Sequence, residues 1–244
     1  MEYSEVAPYY DKWCSGDEDC EKTEKFYLEI LRNAGHCLAE PGVGTGRVAL
    51  KILEKYDKHV VGIDRCEEML DICRARYAAK PHTGTLELIK DDFLTFRLRE
   101  PADCIYIPFR TIGHILSNPE LLRFMKNVEN NLKPGGKFIF DHYIFDPVWA
   151  EENNRKDILL YQDEKIRIED STDHDFVNRI VHCTVKCNDV VMETITFRWL
   201  EVLEVLELVS ASEFSIEKLY GGYSFENWTS TSKNQIWVLS KNGA

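Results

Sequence analysis

The residues best placed to do chemistry fall in four short stretches. "LAEPGVGTGRVAL", residues 38–50, carries Gly42, Gly44 and Gly46 at alternate positions, with Glu40 two residues ahead. "HVVGID" ends on Asp64, "LIKDDF" holds Asp91, Asp92 and Phe93, and "IPFRTIGHIL" holds Arg110 and His114. A glycine loop between a strand and a helix lets a ligand touch the main chain, and the helix N-terminus adds amide donors with a partial positive charge. Spacing separates the ligands that use such loops. Dinucleotide sites favour G-x-G-x-x-G, and phosphate loops need G-x-x-x-x-G-K-[ST]. Here the pattern is G-x-G-x-G followed by Arg47. A fixed carboxylate at Glu40 would repel a pyrophosphate and suit a cationic ligand. Asp64 can take both hydroxyls of a ribose in paired hydrogen bonds. Asp92 can accept from an exocyclic amine, and Phe93 can pack on a flat ring. The set implies a nucleoside with a charged, non-phosphate tail. Each residue has a plainer reading: Asp64 as a surface strand end, and Asp91 with Asp92 as one ligand beside one solvated acid or helix cap.

The elements that position these residues alternate in type. Residues 21–34 repeat apolar positions at helical spacing, "HCLAEP" is a short apolar strand, and "RVALKILEKY" returns to helical spacing. "HVVGID" reads as a buried strand, "EEMLDICRARYA" as a helix, and "TLELIKDD" and "DCIYIPF" as strands. "PELLRFMKNVENNL" reads as a helix stopped by the turn signal "KPGG", with the strand "KFIFDHYIF" beyond it. Such β-α alternation predicts an α/β fold, a doubly wound and mostly parallel sheet covered by helices on both faces. The strands lack polar alternation, as expected of strands buried on both faces. All the candidate residues then fall at strand C-terminal ends, where open parallel sheets bind ligands.

The pattern changes after about residue 155. "DILLYQDEKIRIED", "FVNRIVHCTVKC" and "VVMETITFRWL" are three β-rich runs separated by "STDHD" and "ND", which read as turns. "EVLEVLELVSASEF" reads as a helix, and "FSIEKLYGGY" and "NQIWVLSKN" as two closing strands. The expected organisation is an N-terminal segment and ligand-binding α/β core over 1–154, an antiparallel β insertion over 155–200 acting as a cap, and a helix and antiparallel strand pair over 201–244 that completes the core.

Composition narrows the partners. With 42 acidic against 30 basic residues the net charge is −12, and no block of five or more Lys and Arg occurs, so nucleic acid is not expected as a partner. There is no run of 18 apolar residues and no basic, apolar N-terminal signal, so a cytoplasmic chain without membrane contact is expected. Of eight cysteines, Cys183 and Cys187 stand four apart beside His182. A zinc site wants a second pair at ligand spacing, and none follows, so these read as buried thiols on one strand face and no metal is expected. The other cysteines are expected to stay reduced.

Taken in order, "LAEPGVGTGRVA", "VVGIDRCEEMLDICRAR", "IKDDFLTF" and "LKPGGKFIFDH" resemble the motifs of the class I S-adenosylmethionine-dependent methyltransferases. The resemblance covers residues 36–145 and resumes at the final helix and strand pair, which implies a seven-stranded Rossmann-like sheet. Pro41 and Val43 depart from the family's usual residues without removing the glycines. The resemblance implies S-adenosylmethionine as cofactor and S-adenosylhomocysteine as product. It places Glu40, Gly42, Val43, Gly44 and Gly46 around the methionine part, Asp64 on the ribose, Arg65, Met69 and Ile107 beside the adenine, and Asp91, Asp92 and Phe93 as its recognition set. "YSEVAPYYDKW" resembles the N-terminal segment that small-molecule members fold over the cofactor, which brings Tyr9 or Tyr10 to it. Met69 has the alternative of simple helix core.

The acceptor is read from "IYIPFRTIGHIL" and "GGKFIFDHYIFD". The [DN]-P-P-[YF] motif of amine-methylating nucleic-acid enzymes is absent. The two stretches are similar to the glycine N-methyltransferase group and other small-amine enzymes, with Arg110 and Tyr143-Ile144-Phe145 as departures that set glycine itself aside. The expected activity is methyl transfer to a small-molecule acceptor, at an amine nitrogen. His114 and His142 are the candidate general bases, since an imidazole titrates near pH ~6.5; each has the alternative of a structural histidine bonded to main chain. Arg110, His114 and Tyr143 are the candidate acceptor-binding residues, with Arg110 either holding a substrate carboxylate or pairing with a surface acid. Arg179, Arg198 and Trp199 of the cap are further candidates for specificity. A homodimer is compatible with this reading. The rivals are a methyltransferase of protein or RNA, a non-catalytic cofactor-binding regulatory subunit, and a nucleotide-dependent oxidoreductase with a degenerate fingerprint.

Overall fold

A computed structural model describes residues 3–17 and 19–243. Its first unit alternates strand and helix: β1 (Cys37–Pro41), α3 (Arg47–Lys55), β2 (His59–Asp64), α4 (Glu67–Ala78), β3 (Thr85–Lys90), β4 (Ala102–Ile107), α5 (Asn118–Asn131) and β5 (Leu132–Tyr143). Two N-terminal helices, α1 (Tyr10–Cys14) and α2 (Cys20–Ile30), precede it. The closing α7 (Val202–Ser210), β10 (Phe214–Tyr220) and β11 (Asn234–Lys241) return to the same sheet. The seven strands run in the order β10-β11-β5-β4-β1-β2-β3. Pairs β1·β2, β2·β3, β1·β4 and β4·β5 are parallel, whereas β11 is antiparallel to both of its neighbours. The order reverses at β1, so a crevice opens between the C-terminal ends of β1 and β4.

Two apolar layers hold the sheet. On one face Phe124 and Met125 of α5 and Val205 and Leu208 of α7 pack on Phe138, Phe140 and Trp237. On the other, Phe26, Tyr27, Ile52, Leu53 and Leu70 of α2, α3 and α4 pack on Leu38, Val60 and Tyr106. The helices start where local chemistry permits. Gly46, left-handed at φ +81°, precedes α3, and Ser117 caps α5 by accepting from the Glu120 amide, with Pro119 in its first turn. "KPGG" does not end β5's predecessor in a clean turn. Strand structure runs through it, and the pairing with β4 jumps from Ala102↔Leu132 to Cys104↔Lys137, so Lys133–Gly136 bulge out around a positive φ at Gly135.

The cap is a four-stranded antiparallel sheet in the order β6-β7-β8-β9, with β6 at Ile158–Gln162, β7 at Arg167–Asp175, β8 at Ile180–Cys187 and β9 at Val190–Arg198. The short α6 (Pro147–Asn153), capped by Asp146, leads into it. Two sequence readings change here. The run "DILLYQDEKIRIED" holds two strands, because Asp163 accepts from the amides of Lys165 and Ile166 and turns the chain. "STDHD" is strand rather than turn: Ser171–Asp175 pair along β8, and the reversal falls at residues 176–179, where Asp175 accepts from Val177 and Asn178. The Asn188-Asp189 turn has positive φ at both residues, which matches the twist of a two-residue hairpin. Cys183 and Cys187 share the inner face of β8 and are buried with Ile168 and Ile195.

The N-terminal segment lies between cap and core. Val6, Tyr9, Tyr10 and Trp13 pack on the inner face of the cap, while Ala7 and Tyr10 also pack on Cys66 and Met69 at the start of α4. Polar contacts pin it to both sides: Lys12 to Asp163 and Trp13 Nε1 to Asp170 on the cap, Asp11 to Thr45 Oγ1 at 2.7 Å and to Arg76 on the core. Among the described residues no helix is long and apolar enough to cross a membrane.

Candidate active site

The loop after β1 is set by its backbone. The amides of Gly42 and Val43 donate to the Ile63 carbonyl at 2.7 and 3.0 Å, which folds the loop over the end of β2. Glycine is needed there for different reasons. A Cβ on Gly42 would stand 2.5 Å from Thr111 Cγ2, and one on Gly46 would stand 2.6 Å from Cys73 Sγ, so both positions are closed by the protein itself. A Cβ on Gly44 would meet nothing within 4 Å. Gly44 also has φ +53°, a conformation that costs an L-residue roughly 1–2 kcal/mol. The bare face of Gly44 therefore looks into open space.

That space is a cavity of about 580 Å³, open to solvent on one side. It falls in the range of small-molecule sites, roughly 300–1,000 Å³. Gly42, Gly44, Asp64, Arg65, Met69, Asp91, Asp92 and Phe93 line it, together with Tyr10 from the N-terminal segment and His114 from the turn after β4. These come from the ends of β1, β2, β3 and β4 and from α1 and α4, and the sheet order brings them together. Asp64 braces the floor: one carboxylate oxygen accepts from the Gly44 amide and the other from the Cys66 amide, both at 2.9 Å. Burial pushes its carboxyl upward, and those backbone bonds oppose the shift. Each oxygen keeps a further lone pair for a ligand hydroxyl. Asp91 accepts from the Asp92 amide and the Thr95 hydroxyl, and Asp92 accepts from the Leu94 amide.

Other residues named from the sequence lie outside the cavity lining. Glu40 is buried behind the loop and accepts from Tyr106 Oη at 2.6 Å. Burial pushes its carboxyl up to about 8, so it is mostly protonated at neutral pH, and the expected repulsion of a pyrophosphate from this position is not available. Val43 packs against Gly62, Gly46 against Cys73, and Ile107 lies in the core. His142 is fully buried on β5 and its ring touches the backbone at Gly113. Burial lowers its pKa to about 3, which keeps it neutral and removes it as a base facing the cavity. Arg110 is bound to Asp17 at 2.9 Å and Asp19 at 3.2 Å and lies over the Tyr143 ring, so of its two sequence readings the ion pair is the one realised. Tyr143 is occupied by that contact, and burial pushes its hydroxyl above the usual range. In the cap, Arg179 and Arg198 both bind Glu204, and Trp199 stacks on Phe145 at 3.8 Å, so these serve the junction of cap and core.

Two lining residues were not singled out from the sequence: Tyr3 and Thr111. Tyr3 lies in the "YSEVAPYYDKW" stretch, where Tyr9 and Tyr10 drew attention. Tyr10 does reach the cavity, while Tyr9 packs in the cap cluster.

Comparison with known proteins agrees with this arrangement. A profile of methyltransferase domains matches residues 39–136, which contain the glycine loop, Asp64 and the Asp91–Phe93 set. The chain carries a methyltransferase domain. An uncharacterized methyltransferase of Geobacillus sp. (strain WCH70) is 34% identical over 145 residues, covering 57% of this chain and 64% of that protein. Phosphoethanolamine N-methyltransferase 1 of Triticum aestivum is 30% identical over 127 residues, covering 52% of this chain and 24% of that protein. The chain thus spans less than two thirds of these curated relatives. Among solved structures, an S-adenosylmethionine-dependent methyltransferase from Clostridium acetobutylicum superposes with a TM-score of 0.79 at 18% identity, covering 99% of both chains. The methyltransferase domain, the antiparallel cap and the closing strand pair therefore share one known fold, and the cofactor of that fold is S-adenosylmethionine.

Proposed function

We propose that the chain is an S-adenosylmethionine-dependent methyltransferase that acts on a small-molecule acceptor, at an amine nitrogen. The observation that carries this reading is the open face of Gly44 beside Asp64, in a cavity that runs to the Asp92–Phe93 pair in one direction and to His114 in the other. Bound there, S-adenosylmethionine supplies an electrophilic methyl group on a sulfonium. In the proposed site Asp64 accepts from the ribose hydroxyls, Asp92 accepts from the adenine amine, and Met69 and Phe93 pack on the adenine. Backbone groups at Gly42 and Gly44 hold the methionine part. Tyr10 covers it from the N-terminal segment. His114 and Thr111 stand on the β4 side, where an acceptor must approach.

Methyl transfer from a sulfonium asks mainly for alignment, and well-oriented reactants gain roughly 7–11 kcal/mol from positioning alone. The enclosed geometry supports a small acceptor. The N-terminal segment is pinned to both the core and the cap, leaving a cleft rather than a broad docking face. The amine reading rests on the imidazole of His114 at the acceptor end and on the likeness to a phosphoethanolamine N-methyltransferase. A carboxylate on the acceptor is not required, since Arg110 is engaged by Asp17 and Asp19. A reducing cytoplasm fits the eight unpaired cysteines. The test is the fate of a tritiated methyl group in a cell extract supplied with the pure protein. Label in the small-molecule fraction supports the reading. Label in protein or RNA would replace it with a macromolecular methyltransferase.

A further inference from the structure

Tyr3 and His114 are far apart in the chain and meet at the cavity. Tyr3 Oη lies 2.8 Å from His114 Nε2, and His114 Nδ1 lies 3.2 Å from the carbonyl oxygen of Thr196 on β9. A carbonyl only accepts, so Nδ1 carries the hydrogen, and in the neutral ring Nε2 presents a lone pair. Tyr3 must then be the donor, which leaves its oxygen with acceptor capacity. Both residues line the cavity, on the β4 side of Gly44. Tyr3 is held in place rather than draped there. Its amide donates to Glu193 Oε1 on β9 at 2.7 Å, and its ring packs edge-on against Tyr10 and His114.

We propose that Tyr3 and His114 form a relay that takes a proton from the methyl acceptor, and that the acceptor is an amine that arrives as its ammonium ion. The proposal rests on the methyltransferase reading above. In the relay an ammonium N–H bond breaks, and its electron pair stays on nitrogen as the lone pair that attacks the methyl. The proton passes to Tyr3 Oη while the hydroxyl proton of Tyr3 passes to His114 Nε2. The positive charge moves from the substrate to the imidazole, whose Nδ1–H keeps its bond to the Thr196 carbonyl. Nothing is oxidised or reduced, and the imidazolium later returns its proton to water. Around the pair stand Tyr10 on the N-terminal segment, Arg110 ahead of the turn, His142 on β5, Glu193 and Arg198 on β9, and Asp64, Asp91 and Asp92 across the cavity. The three aspartates favour entry of a cation. A tyrosine serving only as a wall would need its ring and not its hydroxyl.

Tyr3→Phe separates these roles, because it removes the hydroxyl and keeps the packing. Wild type and variant are first titrated with S-adenosylhomocysteine. Both are then assayed for methyl transfer from tritiated S-adenosylmethionine to phosphoethanolamine, ethanolamine and 3-amino-3-deoxyglucose, from neutral to alkaline pH. The relay predicts cofactor affinity within about twofold of wild type, and kcat/KM about tenfold or more lower at neutral pH, borne by kcat rather than KM. It predicts recovery on the alkaline side, where the amine arrives already neutral. It also predicts that His114, followed by ¹⁵N-histidine NMR, becomes protonated when the methylated amine joins the S-adenosylhomocysteine complex of wild type, and stays neutral in the variant. Superimposable pH profiles overturn the relay, as does a protein that binds S-adenosylhomocysteine and methylates none of the three amines. Failure to bind S-adenosylhomocysteine instead overturns the methyltransferase reading itself, so the two failures are distinguishable.

Discussion

Replacing Gly44 by asparagine tests whether the bare loop admits a ligand or merely turns the chain. At φ +53° most side chains are strained by roughly 1–2 kcal/mol, but asparagine is among the residues that tolerate this region. A Cβ at Gly44 meets no protein atom within 4 Å, so nothing in the fold must move to accept it. The expected loss of stability is therefore at most about 1 kcal/mol, a shift in Tm of ~2–4 °C for a chain of this size. The ligand meets a different situation. The new side chain stands in the space that the cofactor is proposed to fill, beside the Asp64 carboxylate that braces the loop. Forcing extra atoms into a filled site costs about 1–3 kcal/mol, which is roughly a 5- to 150-fold loss of affinity. Gly46→Ala is the matched control. Its Cβ would stand 2.6 Å from Cys73 Sγ and 3.0 Å from Leu50 Cγ, so it should weaken the fold and leave the affinity of the folded protein near wild type. Thermal unfolding and calorimetric titration with S-adenosylhomocysteine read the two quantities separately. A folded Gly44→Asn protein that binds within twofold of wild type would refute the placement of the ligand against this loop.

Three further outcomes follow from buried charge. Burial raises Glu40 from 4.5 to about 8, so the protonated form favours the fold; this stability is complete below pH 4.5 and is lost as pH rises through about 8. Glu40→Gln should flatten the decline in Tm on the alkaline side, and an unchanged decline would show that another group causes it. Burial lowers His142 from 6.5 to about 3, so its contribution is present above pH 6.5 and is lost as pH falls toward 3. His142→Gln should make the protein less sensitive to acid unfolding, with equal acid midpoints as the contrary result. Glu204 holds both Arg198, with which it is buried, and Arg179. Glu204→Ala leaves a buried guanidinium unpaired and should cost about 3–5 kcal/mol in urea unfolding, whereas a cost under about 1 kcal/mol would mean that the pair is not formed.

Much of this architecture was legible because periodicity and punctuation agree along residues 36–145. The glycine loop, the acids at strand ends and the alternating apolar runs all point to one parallel sheet. What could not be read was how residues distant in sequence face one another. The bond from the Gly44 amide to Asp64 needs the β1·β2 register, and Tyr3 reaches His114 only because the N-terminal segment passes between cap and core. The "DH" of "FIFDHYIF" looked like chemistry, yet β5 is covered on both faces, so Asp141 and His142 are both fully buried and alternation carries no sign of exposure. Glu40 misled for a related reason. It closes β1 inside the sheet, and its partner Tyr106 comes from the neighbouring β4. "STDHD" has the composition of a turn, but its polar residues lie along β7, paired to β8 over their whole length. The sequence signal for Tyr3 was only its place in an aromatic-rich segment.

The central claim is that the cavity above Gly44 and Asp64 takes S-adenosylmethionine. Calorimetric titration of the pure protein with S-adenosylmethionine, against a nicotinamide dinucleotide under the same conditions, tests it most directly. The account predicts saturable binding with one site per chain for the first and no heat of binding for the second. Binding of the dinucleotide alone, or of neither by a folded protein, would contradict it.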